Sequence, residues 1–160
     1  MMVAMEFELR PISPDDEERL AEFHRHLSAE SIRRRYFTPH PVLTPDELHH
    51  FTHVDGDQRA ALVALADGEI VGVGRYESLP GTEDVEAAFV VRDDFQHHGI
   101  GTRLVEAIAA EAARHGKRRL VAETLPENRP MLRAFHHLPG MVERYGEGVV
   151  DVTIPLQPLR

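Results

Sequence analysis

The chain has 160 residues, which suits one domain, and it lacks cysteine, so disulfides, thiolate metal sites and a cysteine nucleophile are excluded. Its 27 acidic residues outnumber its 18 Lys and Arg residues, and the formal charge is −9. Because binding to nucleic acid or to an anionic membrane depends on positive charge, this balance argues against both kinds of partner. We expect a single domain over residues 1–160.

A short strand and three helices are predicted in the N-terminal third. The strand covers 7–10, and residues suited to capping a helix follow at Ser13, Ser28 and Thr44. After Ser13 and Thr44, a proline comes next and an acid stands three positions on, which is the capping-box arrangement that begins a helix.

Strands dominate the middle of the chain. The runs 60–66 and 69–76 flank Asp67 and Gly68, a dipeptide that favours a tight type I′ hairpin, and a third strand is expected over 84–91. A long helix starts at Ile100, has apolar residues every four positions and ends near Gly116.

The C-terminal third adds a buried strand over 119–124, a helix capped by Asn128 and a closing hairpin of 141–144 with 149–154. The strand–helix–strand unit 84–124 predicts two parallel strands joined by a right-handed crossover. The hairpins are antiparallel. The predicted fold class is therefore mixed α/β, a mixed sheet covered by helices.

No segment reads as a membrane span or a signal peptide. The longest apolar run is far shorter than the ~20 residues that a spanning helix needs, and the N-terminus has no basic region before an apolar one. We predict a cytoplasmic protein.

The loop before the long helix is the clearest candidate site. Gln96, Gly99 and Gly101 stand where a strand passes into a helix N-terminus, whose free amides and dipole favour an anion such as phosphate. The third glycine of a dinucleotide fingerprint is missing, and no Gly-Lys-Ser/Thr sequence exists for a P-loop. A turn that binds nothing is the alternative.

The segment 90–101, VVRDDFQHHGIG, resembles the acetyl-CoA-binding motif of the GNAT N-acetyltransferases, and 127–135, ENRPMLRAF, resembles that family's second motif. The resemblance implies a mostly antiparallel sheet of about seven strands, splayed between two parallel central strands, with a bulge in the strand before the loop. It also implies acetyl-CoA as cosubstrate. The cofactor-binding residues it implies are Phe89, Val90, Val91, Gln96, His97, His98, Gly99, Ile100, Gly101, Thr102 and Asn128.

The N-terminal half resembles the acetyltransferase domain of bacterial protein lysine acetyltransferases. The matching segments are 9–12 (LRPI), 27–31 (LSAES), 35–37 (RYF) and 43–48 (LTPDEL). This resemblance implies a primary amine acceptor, with a protein lysine as the leading class, and a homodimer at the family level. A small-molecule amine acceptor stays open as an alternative.

Transfer to an amine needs a proton acceptor, because a lysine of pKa 10.4 is almost fully charged at pH 7. Glu86 is the first candidate, since it interrupts an otherwise apolar strand. It also resembles the glutamate assigned as general base in the lysine acetyltransferase relatives. Glu123 is the second candidate, because other branches of the family place an acid there. For Glu86, a plain surface acid at a strand edge is the alternative.

Phe135 departs from the family pattern, because many members have a tyrosine there that acts as general acid. A phenol is unavailable at that position. This keeps open a third reading, a non-catalytic module that binds acyl-CoA without turning it over.

We predict no metal. His49 and His53 form an i, i+4 pair, with His50 and Asp55 nearby, but no second ligand motif accompanies them, so an exposed polar helix face is favoured. The run 33–35 of three arginines could meet a CoA phosphate or an acidic patch on a partner, but a solvated helix face is favoured here as well.

Overall fold

The computed structural model describes residues 6–156, which form a seven-stranded sheet with helices on both faces. The strands are β1 (Glu8–Pro11), β2 (Arg59–Ala66), β3 (Glu69–Ser78), β4 (Asp84–Val91), β5 (Arg119–Thr124), β6 (Val142–Tyr145) and β7 (Val150–Pro155). The helices are α1 (Glu17–Arg25), α2 (Ala29–Tyr36), α3 (Pro45–Thr52), α4 (Ile100–Arg114) and α5 (Arg129–His136). The predicted element order is confirmed.

Side-chain caps fix where the N-terminal helices begin. The amide of Glu47 donates to the Thr44 hydroxyl at 3.1 Å while the Glu47 carboxylate accepts from the Thr44 amide, so the predicted capping box is formed. Ser28 caps α2 through the amide of Ser31 at 3.1 Å. A second capping box, at Ser13, opens a short 3-10 turn that leads into α1. Each cap satisfies amides that the helix itself leaves unpaired.

The sheet order is β1-β2-β3-β4-β5-β7-β6. The tight hairpin between β2 and β3 is confirmed, because both Asp67 and Gly68 have positive φ, 50° and 78°, as a type I′ turn requires. β4 and β5 are parallel and α4 connects them, also as predicted. The other neighbouring strands are antiparallel.

β4 and β5 separate after a short contact. They pair over three positions, the last being Glu86 with Val121, and then diverge. The bulge that the resemblance implied in β4 is not found, because β4 keeps an unbroken register with β3 from Val85 to Val91. The gap therefore arises from the divergence of β5 alone. This opens a space between two central strands whose backbone groups have no partner across it.

Two apolar clusters hold the layers together. One joins the sheet to α4 and α5 and includes Leu104, Ile108 and Phe135, and the other joins the opposite face to α1–α3 and includes Phe23 and Ile32. Within residues 6–156, none of the helices has the length and apolar character needed to cross a membrane.

Candidate active site

A cleft of about 370 Å³ lies where β4 ends and α4 begins, with α2 and α5 as its side walls. The sequence-predicted cofactor residues converge on it. Those that line the cleft are Phe89, Val90, Val91, Gln96, His97, Gly99, Ile100, Gly101, Thr102 and Asn128. His98 is the exception, because it is exposed and does not line the cleft.

The loop backbone turns sharply before α4. His97 and Gly99 both have positive φ, 67° and 83°, a conformation that costs a non-glycine residue free energy. The amide of Arg103 donates to the carbonyl of Gly99 at 3.1 Å and begins the helical ladder. The amides of residues 97–102 have no main-chain acceptor within 6–156, so they are free to bind an anion.

Gly101 has room for a side chain. Its φ is not positive, and a Cβ added there would meet only the Val91 side chain, at an ordinary 3.8 Å. The fold itself therefore does not require glycine at this position. A diphosphate resting against the main chain would require it.

The cleft is cationic in an acidic protein. Arg34, Arg35 and Arg133 line it together with His97 and His137, and no lining residue is acidic. The favoured interpretation of the arginine run as a solvated helix face is therefore wrong for Arg34 and Arg35, and the alternative of a contact with a CoA phosphate stays a prediction. This charge suits the phosphates of coenzyme A.

The third arginine of the run has a different partner. Arg33 donates to the Glu127 carboxylate at 2.8 Å, and both side chains are about half exposed. This ion pair connects α2 to the segment before α5, so it links two walls of the cleft.

Asp93 holds α2 against the loop. Its carboxylate accepts hydrogen bonds from the Ser28 amide at 3.0 Å, the Ser28 hydroxyl at 2.7 Å and the Ser31 hydroxyl at 3.0 Å. Burial raises the pKa of Asp93, but these hydrogen bonds outweigh it and hold the pKa below its ordinary value. Nothing in the sequence signalled this contact.

Two polar side chains of the cleft also have structural partners. The Gln96 side-chain nitrogen donates to the Val91 carbonyl at 3.0 Å, so it braces the loop against the end of β4. The Asn128 side-chain oxygen accepts from the Met131 amide at 3.4 Å and caps α5, as predicted. The main-chain amide of Asn128 donates to the Leu125 carbonyl at 2.9 Å, whereas its side-chain nitrogen Nδ2 has no hydrogen-bond partner among residues 6–156 and is free to contact a ligand.

The two candidate bases lie on one face of the sheet. Glu86 pairs across the strands with Glu77 of β3 and with Val121 of β5, and Glu123 follows Val121 by two positions. Glu123 is in turn opposite Asp151 of β7. All four carboxylates are exposed, so they form an acidic strip across β3, β4, β5 and β7.

Phe135 is core. It is 1% exposed and contacts Phe89 edge to face, with 5.8 Å between the ring centroids. Aromatic packing accounts for this residue, and no other phenol takes its place among the residues that line the cleft.

His49 and His53 of α3 lie near an acidic residue that the sequence analysis did not place beside them. Glu17 of α1 lies near His49 and His53, with one ligand atom from each within 4.8 Å of the others. The histidines are exposed, and Asp55 instead accepts hydrogen bonds from the amides of Asp57 and Arg59, both at 2.9 Å. The absence of a metal stays a prediction.

Comparisons with known proteins agree with this geometry. A model of the acetyltransferase (GNAT) family matches residues 25–138. The acetyltransferase Pat of Mycolicibacterium smegmatis is 29% identical over 161 residues, covering 96% of this chain and 46% of that protein. The chain thus spans about half the length of this curated relative.

Solved structures show the same architecture. The GNAT domain of PAT from S. lividans is 37% identical, with a TM-score of 0.85, and the match covers 92% of this chain and 89% of that one. A GNAT superfamily phosphinothricin acetyltransferase from Sinorhizobium meliloti, in complex with AcCoA, is 17% identical with a TM-score of 0.74, covering 98% and 95%. At that identity, the second match shows the shared fold alone.

Proposed function

The chain belongs to the GNAT acetyltransferase family, and we propose that it moves the acetyl group of acetyl-CoA to a primary amine, with a lysine side chain of a protein as the acceptor. The family accounts for the acetyltransferase activity and its dependence on acetyl-CoA. The acceptor and the roles of individual residues are our proposal.

The acidic strip is the observation that carries the amine assignment. Like charges placed directly opposite on neighbouring strands destabilise a sheet, and Glu123 faces Asp151 while Glu86 faces Glu77. Glu77 already pairs with Arg59 at 3.4 Å, whereas neither Glu86 nor Glu123 forms an ion pair among residues 6–156. A cationic acceptor would therefore be attracted to Glu86 and Glu123. The arginine-lined cleft has the opposite charge, which favours a division between an anionic cosubstrate and a cationic acceptor.

The cosubstrate end of the site is formed by main chain and arginines. We assign the diphosphate to the amides of the loop from His97 to Thr102, with Arg35 as a further phosphate partner. The backbone groups of β4 beyond Glu86, which β5 does not reach, are available to hydrogen-bond the pantetheine arm. When bound, acetyl-CoA supplies an activated thioester.

The acceptor must lose a proton before or as it attacks. Removing it from lysine at pH 7 costs about 4–5 kcal/mol, so a nearby base lowers the barrier. In the proposed step, the amine nitrogen forms a bond to the thioester carbonyl carbon and the carbon–sulfur bond breaks. Glu86 accepts the amine proton, directly or through water, and the thiolate leaves and takes up a proton. Glu123 is the alternative base.

The direct test is acetyl transfer measured with two readouts. The protein is incubated with acetyl-CoA and either lysine-containing peptides and proteins or small primary amines. Thiol release is followed spectroscopically, and acetylation is followed by intact-mass spectrometry. Mass increases of one acetyl group on lysine peptides are expected.

Each contrary result has a distinct meaning. Turnover with small amines alone would replace the protein-lysine assignment with a small-molecule one. Acetyl-CoA binding without turnover on any acceptor would favour the non-catalytic module.

A further inference from the structure

Four buried polar side-chain atoms among residues 6–156 have no hydrogen-bond partner. They are Arg34 Nε, Ser78 Oγ, Thr124 Oγ1 and Glu143 Oε2. The first and third line the same narrow cavity, although one comes from α2 and the other from the end of β5. An unpaired buried polar atom costs about 1–3 kcal/mol, so two in one small space indicate a missing partner.

This cavity, of about 20 Å³, lies in the gap where β4 and β5 diverge. It adjoins the main cleft, with which it shares lining residues from β4, α2 and α5: Arg34, Arg35, Phe89, Asn128 and Met131. Its volume accommodates a single atom or a small group. A carbonyl oxygen, like a single water molecule, would fit into it.

Thr124 is the more constrained of the two donors. It is 2% exposed, and its strand neighbours Leu120 and Ala122 point to the same buried face. Arg34 Nη2 donates a hydrogen bond to the Glu30 carboxylate at 2.8 Å, which leaves Nε free for another acceptor. Arg34 Nε can only donate and the Thr124 hydroxyl can donate, so one acceptor atom would satisfy both.

We propose that Arg34 Nε and the Thr124 hydroxyl donate hydrogen bonds to the acyl-thioester end of the bound cosubstrate. This inference rests on the proposed function. Glu123, the alternative base, lines the same cavity, and so do Ala87 and Ala88, which follow Glu86 on β4. Both candidate bases therefore belong to the strands that border the position assigned to the thioester. Phe135 also lines the cavity, and its ring has no hydrogen-bond donor. Arg34 and Thr124 would therefore supply the polar contacts there.

The test compares acetyl-CoA with CoA, which lacks the acyl carbonyl. Isothermal titration calorimetry gives both dissociation constants for the wild type, Thr124→Val, Thr124→Ser and Arg34→Gln. Valine keeps the shape of threonine and removes the hydroxyl, whereas serine keeps the hydroxyl. We expect Thr124→Val to weaken acetyl-CoA binding about fivefold to tenfold and CoA binding less than twofold, with serine restoring the difference. Arg34→Gln should weaken acetyl-CoA more than CoA as well.

Ser78→Ala is the matched control, because it removes another unpaired buried hydroxyl at the end of β3, outside both cavities. Both affinities should stay unchanged in this variant. Equal losses of CoA and acetyl-CoA in Thr124→Val, or no loss, would overturn the inference, the second result being expected if the hydroxyl merely holds a water. If valine prevents folding, the Arg34→Gln comparison decides. Failure of the wild type to bind either ligand would instead contradict the proposed function.

Discussion

The hydroxyl of Ser28 donates a 2.7 Å hydrogen bond to the carboxylate of Asp93, although the two residues are 65 positions apart. Asp93 thereby ties the first turn of α2 to the turn that precedes residues 97–102. Because α2 carries Arg34 and Arg35 into the cleft, this contact positions the cationic wall. We therefore expect Asp93 to influence ligand binding through the position of α2.

Replacing Asp93 should affect both stability and binding. We expect Asp93→Asn to lower the free energy of unfolding by about 1–3 kcal/mol, because three donors lose a charged acceptor. Acetyl-CoA affinity should fall with it. Asp94→Asn is the matched control, since Asp94 pairs with Arg92 on the surface and its loss should cost less than about 1 kcal/mol. Equal effects of the two variants in urea unfolding would contradict this role.

The stability of the helical layer should fall in mild acid because of His24. This side chain is 3% exposed and hydrogen-bonds the His40 carbonyl at 2.6 Å. Burial lowers the pKa of His24, against the raising effects of that hydrogen bond and of Glu47. His40 and Arg35 lower it further.

The sign follows from the lowered pKa. The unfolded chain takes up a proton below about pH 6.5 that the folded chain resists, so His24 stabilises the fold above that pH and loses its contribution as the pH falls. The loss is at most about 1.4 kcal/mol per pH unit. Urea unfolding at pH 7.5 and 5.5 should show a smaller difference for His24→Gln than for the wild type, and an equal difference would exclude His24 as the cause.

The two loop glycines should respond differently to alanine. Gly99 has a φ of 83°, so Gly99→Ala should destabilise the fold by about 1–2 kcal/mol. Gly101 is helical and has room for a Cβ, so Gly101→Ala should leave the fold intact or slightly more stable. It should nevertheless weaken acetyl-CoA binding, because the methyl group occupies the approach to the backbone. Thermal unfolding and calorimetry separate these effects, and unchanged affinity in Gly101→Ala would argue against an anion at this loop.

The candidate bases are distinguished by paired amide substitutions. Glu86→Gln should reduce kcat by about 10²–10⁴-fold with little change in acetyl-CoA affinity, since a general base acts on the amine proton. Glu123→Gln should have a smaller effect. If the two results are reversed, Glu123 is the base. Full activity in both variants would show that neither carboxylate accepts the proton.

Acetyl transfer should not depend on a metal. None of the residues assigned to the reaction belongs to the group formed by Glu17, His49 and His53. Treatment with EDTA followed by dialysis should therefore leave the transfer rate unchanged. A rate that fell with EDTA and recovered on adding zinc would contradict the prediction.

Local patterns were sufficient to predict most elements. The strands 84–91 and 119–124 have the predicted bounds, and the Asp67–Gly68 turn has the predicted type, because each depends on a few adjacent residues. The loop that ends at Gly101 was predicted in the same way, since the glycine spacing and the helix start are both local.

Contacts between distant segments were not predictable from one sequence. The bond from Ser28 to Asp93, the entry of Arg34 into the cleft and the approach of Glu17 to the helix histidines depend on how helices pack on the sheet. The pairing of Glu77 with Glu86 depends on strand register, which cannot be read from the sequence alone. The implied bulge in β4 was wrong for the same reason: strand divergence is set by packing over many residues.

The short seam of three residue pairs between β4 and β5 has a mechanical consequence. Few backbone bonds join the two groups of strands there, so the buried side chains shared by β4, β5, β7, α4 and α5 supply most of the cohesion across the seam. The width of the gap is therefore set by side-chain packing, and substitutions that change the volume of those side chains are expected to change it.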